Sequence, residues 1–431
     1  MKPRTSPLGL LVSACAVHAV LIGGANLSLP PFFDAIVTTG GWSLASLQRA
    51  WALVSLGSGV SAFVAGRWLK SNADRGLLAL AGLAAVFAIG LRGAATTELV
   101  FALAQGLYGL GTGGVLVVLM SRVTRAYQGE HAGRAQAAYF GAYTVGAAVG
   151  LASASALASA LGDWRAVAFA WGGLSLVSLV PALVVRLDAP TIAAMQPDAA
   201  RGDSKAEGAR RAAAFAIAGY AFVYASFNGG YLGITGLLPY QLREWGWSAS
   251  SADSTLALST LGFIAGSALW GALTDRSGRR IVAFTSCLIG AGAISALCIA
   301  FARGGFHPVV VAGNALLGLL CGALVVFFPV MLADRRIPAD LAPEAIGWAT
   351  AAAAAGGFLI PFVLAPGAES HPEWVLGAYA AAFALSGGAM TLWAREGEGE
   401  GGGSGPATPN RAPTICVRLR VASRAGRRWP R

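Results

Sequence analysis

Charge is scarce in this chain. Asp, Glu, Lys and Arg make up 12% of its 431 residues while 56% are hydrophobic, and a water-soluble domain carries about a quarter charged residues. So much apolar surface cannot be hidden inside soluble domains of this length, so lipid is the expected solvent. Cysteine is scarce too: four of the five, Cys15, Cys287, Cys298 and Cys321, fall in apolar stretches without ligand spacing, which argues against a disulfide framework and a zinc site. The four histidines, His18, His131, His307 and His371, are isolated, so no catalytic metal site is expected. Nor is there a G-x-x-x-x-G-K-[ST] loop to hydrolyse nucleotides. The run Gly109-x-Gly111-x-Gly113-Gly114 lies inside an apolar stretch and reads as close helix packing. Neither enzymatic chemistry nor a cofactor is expected, and energy must come from a gradient or from the solute itself.

What is abundant is glycine, with 58 residues, and long apolar runs. A membrane-spanning helix needs about 20 apolar residues. Twelve such segments are expected, at 9 to 33, 44 to 66, 76 to 95, 98 to 121, 135 to 160, 165 to 186, 212 to 240, 251 to 273, 281 to 302, 308 to 332, 345 to 366 and 374 to 394. The first is too long for a cleaved signal peptide and is expected to stay as a signal anchor.

Lys and Arg fall mainly in alternate loops. Before the tail, 18 of them, from Lys2 to Arg336, lie on the side of the N-terminus, and only Arg49, Arg92, Arg165, Arg243 and Arg303 lie opposite. The positive-inside rule then puts both termini in the cytoplasm, with the chain in the cytoplasmic membrane. It also accounts for the net charge of +11 without nucleic acid as a partner. A polar stretch, 187–211, reads as a cytoplasmic linker between six-helix units at 1–186 and 212–394. The remainder, 395–431, opens on alternating Gly and Glu and carries seven arginines from Arg411 onward; disorder is expected there.

The chain repeats itself. Gly41-Trp42-Ser43 returns as Gly246-Trp247-Ser248, 205 residues on, and in each copy a glycine 24 residues past the tryptophan, Gly66 or Gly271, opens a basic loop. Gly109, Leu110 and Gly113 match Gly318, Leu319 and Gly322 at a spacing of 209; Trp164 matches Trp374, and Arg92 matches Arg303. Duplicated apolar halves are a common plan among secondary transporters. The fold class expected is an all-α membrane protein with 12 transmembrane helices in two pseudo-symmetric six-helix bundles.

Gly271-Ala272-Leu273-Thr274-Asp275-Arg276-Ser277-Gly278-Arg279-Arg280 resembles the G-x-x-x-D-R-x-G-R-R loop signature of the major facilitator superfamily, and Gly162-Asp163-Trp164-Arg165 is similar to that family's Trp-Arg before helix six. The likeness covers about residues 8 to 395. Within the family, the Gly-Trp-Ser copies, with Leu238-Pro239-Tyr240 ahead of the second, most resemble the monocarboxylate and oxalate/formate branch. The resemblance implies alternating access and assigns Gly271, Asp275, Arg276, Gly278, Arg279 and Arg280 to a loop that helps lock one state. The first-half copy, Gly66-Arg67-Trp68-Leu69-Lys70, departs from it, with lysine in place of aspartate; Asp74-Arg75-Gly76 follows four residues late.

Polar residues inside spans are the default site candidates. In the family helices one, four, seven and ten line a central cavity, which singles out Asn26, Gln105, Asn228 and Asn314, with Tyr224 and Tyr231 on one face of helix seven. Each has a plainer reading as a buried helix-helix hydrogen bond, a kink or packing, and His18 reads as a packing histidine. Asp34 and Arg49, toward the outer ends of adjacent helices, are candidates for an ion-paired outer gate or for proton coupling, and Asp253 for the cap of helix eight. Helix eight, Leu256 to Trp270, and helix eleven, Ala345 to Pro366, contain no Lys or Arg to meet an anion; Arg49, Arg92 and Arg303 are the cations near the membrane. The solute is therefore open among a monocarboxylate, a neutral or zwitterionic metabolite and an exported hydrophobic compound, with protons as candidate co-substrate. A non-transporting sensor is the alternative of another class. The partners expected are the solute and the bilayer, and the chain is expected to act as a monomer.

Overall fold

The computed structural model describes residues 7–68, 74–127, 132–185, 204–277, 280–305, 307–332, 334, 336–337 and 342–399. All regular structure among them is helical. The helices are α1 (Pro7–Gly40), α2 (Leu44–Trp68), α3 (Asp74–Ala94), α4 (Glu98–Ala126), α5 (Ala132–Leu161), α6 (Trp164–Val184), α7 (Ser204–Glu244), α8 (Ala249–Ser277), α9 (Arg280–Arg303), α10 (His307–Cys321, continued by Gly322–Val326 and Phe327–Leu332), α11 (Ala342–Leu364) and α12 (Pro372–Gly399). Eleven are long and apolar enough to cross a membrane; the other, α2, is 25 residues long but diluted by Gln48, Arg49 and several serines. The sequence-based segments overlap all twelve. Helix α7 starts at Ser204, inside the stretch expected to be linker, and α12 runs to Gly399, past the expected end at 394.

The same neighbours recur in each half. Helix α2 packs on α4 as α8 packs on α10; α1 meets α5 as α7 meets α11; α3 touches α4 and α6 as α9 touches α10 and α12. Across the halves α5 lies against α8 and α2 against α11, pairings that a two-fold exchange of the halves converts into each other.

Glycine explains the close approach. In lipid no hydrophobic force pulls helices together, so association relies on backbone proximity and van der Waals contact. Gly109 lies on Val54 and Gly113 on Ser58 of α2; their repeat partners, Gly318 and Gly322, lie on Ser259 and Gly266 of α8. A Cβ on Gly322 would come within 2.5 Å of the Ser267 amide nitrogen. Gly111 and Gly114 face α3 instead, so the glycine run of α4 serves two neighbours at once.

The Gly-Trp-Ser copies are built alike. Gly41 and Gly246 have φ of 67° and 86°, the left-handed region that ends a helix with little cost only for glycine. Trp42 and Trp247 are buried, against Phe101 with centroids 5.4 Å apart and His307 at 3.9 Å. Ser43 Oγ accepts from the Ser46 amide at 3.0 Å and Ser248 Oγ from the Ser251 amide at 3.2 Å, capping α2 and α8. Ser248, not Asp253, is therefore the cap of α8; Asp253 is buried one turn further in. The end of the molecule carrying both copies is called the tryptophan end below, and the opposite one the basic end.

Replacing Gly246 with Ala should cost about 1–2 kcal/mol, the penalty of a side chain in the left-handed region, whereas Gly388→Ala, in α12 with open space around it, should cost nothing. Thermal unfolding in detergent followed by tryptophan fluorescence checks this; equal melting temperatures for the two variants would count against the left-handed turn as a constraint.

Candidate functional site

Helix α1 is not a regular helix. His18–Gly24 winds as a π-helix, Pro30–Phe32 as a 3-10 turn, and φ/ψ becomes irregular at Phe32. At the 3-10 turn Pro30 and Pro31 donate no amide hydrogen bonds, and the Leu29 amide bonds to Asn26 O at 3.2 Å. The Ala25 carbonyl is left to other donors, and Arg92 Nη1 of α3 takes it at 3.0 Å. One turn earlier the Tyr108 hydroxyl of α4 donates to the Leu21 carbonyl at 2.5 Å. Gly23 and Gly24 let this segment lie on α5, where Gly146 and Gly150 leave room for it.

Where the halves meet stands a cluster of aromatic rings, the aromatic cleft of the two-bundle architecture. Tyr224 of α7 meets Phe327 of α10 at 4.9 Å, and Tyr231 meets Phe263 of α8 at 6.4 Å and stacks on Phe227 at 6.1 Å. From the other half, Tyr143 of α5 lies within electrostatic range of both Tyr224 and Tyr231. Tyr143 also leans on His18 of α1, with centroids 5.5 Å apart. His18 is buried, stacked on Tyr139 at 4.1 Å, with Nδ1 2.8 Å from the Tyr139 carbonyl. A carbonyl only accepts, so Nδ1 carries the proton in this bond. Asn228 Nδ2 donates to the Ala353 carbonyl of α11 at 2.7 Å. Gly357 of α11 adjoins both Asn228 and Ser55 of α2, so Asn228 stands where three helices of the two halves meet.

Polar contacts fasten the halves together toward the tryptophan end. Glu369 Oε1, beyond α11, accepts from the Leu44 amide at 2.5 Å and the Ala45 amide at 3.3 Å, at the start of α2, where a carboxylate is favoured by the helix dipole. Trp51 Nε1 donates to the Leu232 carbonyl at 3.3 Å. Arg243 and Asp253, 2.7 Å apart and belonging to α7 and α8, are gripped by the other half: the Ser155 hydroxyl donates to Asp253, and Arg243 to the Pro31 carbonyl. Asp253 is 1% exposed. These five hydrogen bonds join the halves, and none lies deeper than Trp51, two turns into α2.

Several sequence candidates stand elsewhere. Asp34 and Arg49 do not pair: Arg49 is exposed, with its guanidinium 5.7 Å from the centre of the Phe362 ring, and the ion pair of the tryptophan end is Arg243–Asp253. The chain turns Arg49 outward from α2, while its neighbour Gln48 and Trp51 face Gly236 of α7. Asn314 does not face the cleft either. It is buried within the second bundle beside Ile234, Ser295 and Cys298, and Nδ2 donates to Val310 O of its own helix at 3.0 Å. Gln105 is fully buried within the first bundle, with neither amide atom paired, and Asn26 Oδ1 is buried without a donor. Tyr224, Asn228 and Tyr231 do come together along the cleft. Gly271, Asp275 and Arg276 lie on the last turns of α8 and Arg280 opens α9, while Gly278 and Arg279 fall outside the described residues.

Ser155, Trp51, Glu369 and Phe327 were not legible as site residues. A serine, a tryptophan and a phenylalanine in apolar runs carry no signal of their partner, and Glu369 looks like an ordinary loop carboxylate. At the basic end each bundle holds an ion pair: Arg122 Nε with Asp74 Oδ2 at 3.1 Å, Arg122 also donating to the Ala182 carbonyl, and Arg336 Nη2 with Asp334 Oδ2 at 2.7 Å. These bonds stay within a half.

Twelve helices in two related bundles that meet at the tryptophan end define a multi-pass membrane protein. A family model described as Major Facilitator Superfamily matches residues 15–241 and again 216–429, so the chain belongs to that superfamily. The comparison with curated proteins gives no match. The second match extends past the residues described at the C-terminal end.

Asp334 offers a pH test of the basic end. Burial pushes its carboxyl up, but the hydrogen bonds and charge of Arg336 and the bond from the Tyr220 hydroxyl at 3.0 Å outweigh it, leaving the group below its ordinary value of 3.8. A carboxyl lowered in the folded state adds stability that is present above 3.8 and lost as pH falls through the folded value. Asp334→Asn should therefore unfold at the same denaturant concentration at pH 5 and pH 3 once other groups are subtracted, whereas the parent should lose more. Parallel pH curves for the two would refute the assignment.

Proposed function

We propose that the chain is a secondary transporter that carries a small organic solute by rocking its two bundles about the aromatic cleft, driven by a proton gradient. The observation that carries this reading is the fastening of the halves at the tryptophan end. Five hydrogen bonds close the tryptophan end, while each bundle keeps its own ion pair at the basic end. The excess of Lys and Arg makes the basic end the cytoplasmic one, so the conformation is closed toward the outside. The loop Gly271, Asp275, Arg276, Gly278, Arg279 and Arg280 then serves the opposite state, as the family resemblance implies.

The cleft favours an uncharged or zwitterionic aromatic solute over a monocarboxylate. Tyr143, Tyr224, Tyr231, Phe263 and Phe327 offer ring faces, Asn228 offers an amide, and α8 and α11 contribute no Lys or Arg within their apolar runs. Asp253 is the carboxylate suited to coupling, because a proton on it removes the charge that holds Arg243 and weakens the grip of the first half. Asp34, without such a partner, has a peripheral part.

Proteoliposomes with an imposed pH gradient test both points. Neutral and zwitterionic aromatic solutes should move and oxalate and lactate should not; Asp253→Asn should abolish the dependence on the gradient, and Asp34→Asn should leave it unchanged. Movement of carboxylates alone would overturn the substrate class, and the absence of movement for every solute would favour a sensor.

A further inference from the structure

We infer that the first bundle holds a single small monatomic anion of the halide class, at a buried site between α1, α3 and α6 near the tryptophan end. Arg92 is 2% exposed and no carboxylate pairs with it among the described residues. Its Nη1 donates to Ala25 O and its guanidinium lies 4.6 Å from the centre of the Tyr108 ring, but Nε and Nη2 have no acceptor in the protein. A buried cation without a counter-charge is strongly disfavoured. Arg92 lines a cavity with Ser28, Ile89, Trp164, Val167 and Trp171, and the indole Nε1 groups of Trp164 and Trp171 are also buried without an acceptor.

All the unpaired atoms here are donors. Arginine and tryptophan have no acceptor to offer, so the ligand suited to this lining is an N–H acceptor that brings negative charge. Water has two lone pairs and no charge; a halide accepts from every side and neutralises the guanidinium. The cavity, about 10 Å³, is of the size of one small particle, which favours a monatomic ion over carboxylates, phosphate and sulfate. This separates the site from the solute cleft.

The repeat supplies an independent indication. Arg303 and Trp374 hold the matching positions in the second half, and both are exposed, Trp374 at 76%. One copy has therefore buried a cation and an indole that the other leaves outside. Because Arg92 also holds the carbonyl released by the break in α1, an anion here would fix α1 to α3 and α6 at the end where the halves are fastened.

The test uses the full-length protein in detergent at constant ionic strength, exchanging sodium gluconate for sodium chloride or bromide. Melting temperature should rise saturably with either halide and not with sulfate, and crystals grown in bromide should show one anomalous peak beside Arg92. Trp171→Phe and Trp164→Phe, which keep an aromatic ring and remove one donor each, should weaken halide binding about tenfold, and Arg92→Gln should abolish it. A melting temperature indifferent to halide, with no bromide peak, would mean that the cavity holds water only and would overturn the proposal. Halide stabilisation left intact in all three variants would place the anion elsewhere and overturn it as well.

Discussion

Lipid removes the hydrophobic effect as a force between helices, and the molecule is organised around what remains: close backbone approach and a few polar bonds. Within each bundle close approach dominates. Gly109 and Gly113 seat α4 on α2, Gly318 and Gly322 seat α10 on α8, and Gly146 and Gly150 receive the broken α1. Interiors packed at this density do not deform continuously, so each bundle can move as a body. Between bundles, hydrogen bonds to Glu369, Leu232, Asp253 and Pro31 hold one end. Such bonds contribute about 0.5–1.5 kcal/mol each when neutral and more when charged, an amount a solute or a proton can offset.

The irregular α1 links these levels. Where the helix breaks, backbone carbonyls lose their intrahelical donors, and in lipid each must find another. Arg92 supplies one for Ala25 and Arg243 one for Pro31. Thus the broken segment from Ala25 to Pro31 holds one arginine in the interior of the first bundle and another in the contact between halves. His18 and the π-helical turn continue the irregularity inward to Tyr143 and the cleft. A break that begins as a backbone problem ends by tying the fastened end to the candidate solute site.

The architecture was readable because it rests on patterns that survive in one dimension. Apolar run length, the doubled Gly-Trp-Ser and the spacing of paired glycines all specify backbone behaviour, and the structure uses the two Gly-Trp-Ser copies identically, as turn, buried ring and cap. The site was less readable, because it depends on which side of a helix a residue faces and what the opposite half presents there. Asn228 and Asn314 look equivalent in sequence; one stands at a meeting of three helices and the other faces inward within its bundle. Arg49 and Asp34 sit at suitable depths, yet α2 turns Arg49 outward. Asp253 read as a cap because it follows two serines, but the cap needed only Ser248, which left the carboxylate free for Arg243. In a chain so poor in charge, the position of each charged side chain is set by its partner across space, and a single sequence does not name that partner.

The most direct test of fastening at the tryptophan end is a pair of distances measured by pulsed electron paramagnetic resonance in lipid nanodiscs. One pair of spin labels, at Thr39→Cys and Ser250→Cys, spans the halves at the tryptophan end; the other, at Val64→Cys and Leu273→Cys, spans them at the basic end, and all four positions are exposed. Introducing Asp253→Asn removes the charge at the centre of the contact. Rocking predicts that the first distance lengthens while the second shortens; distances that stay fixed, or that change in the same direction, would contradict it.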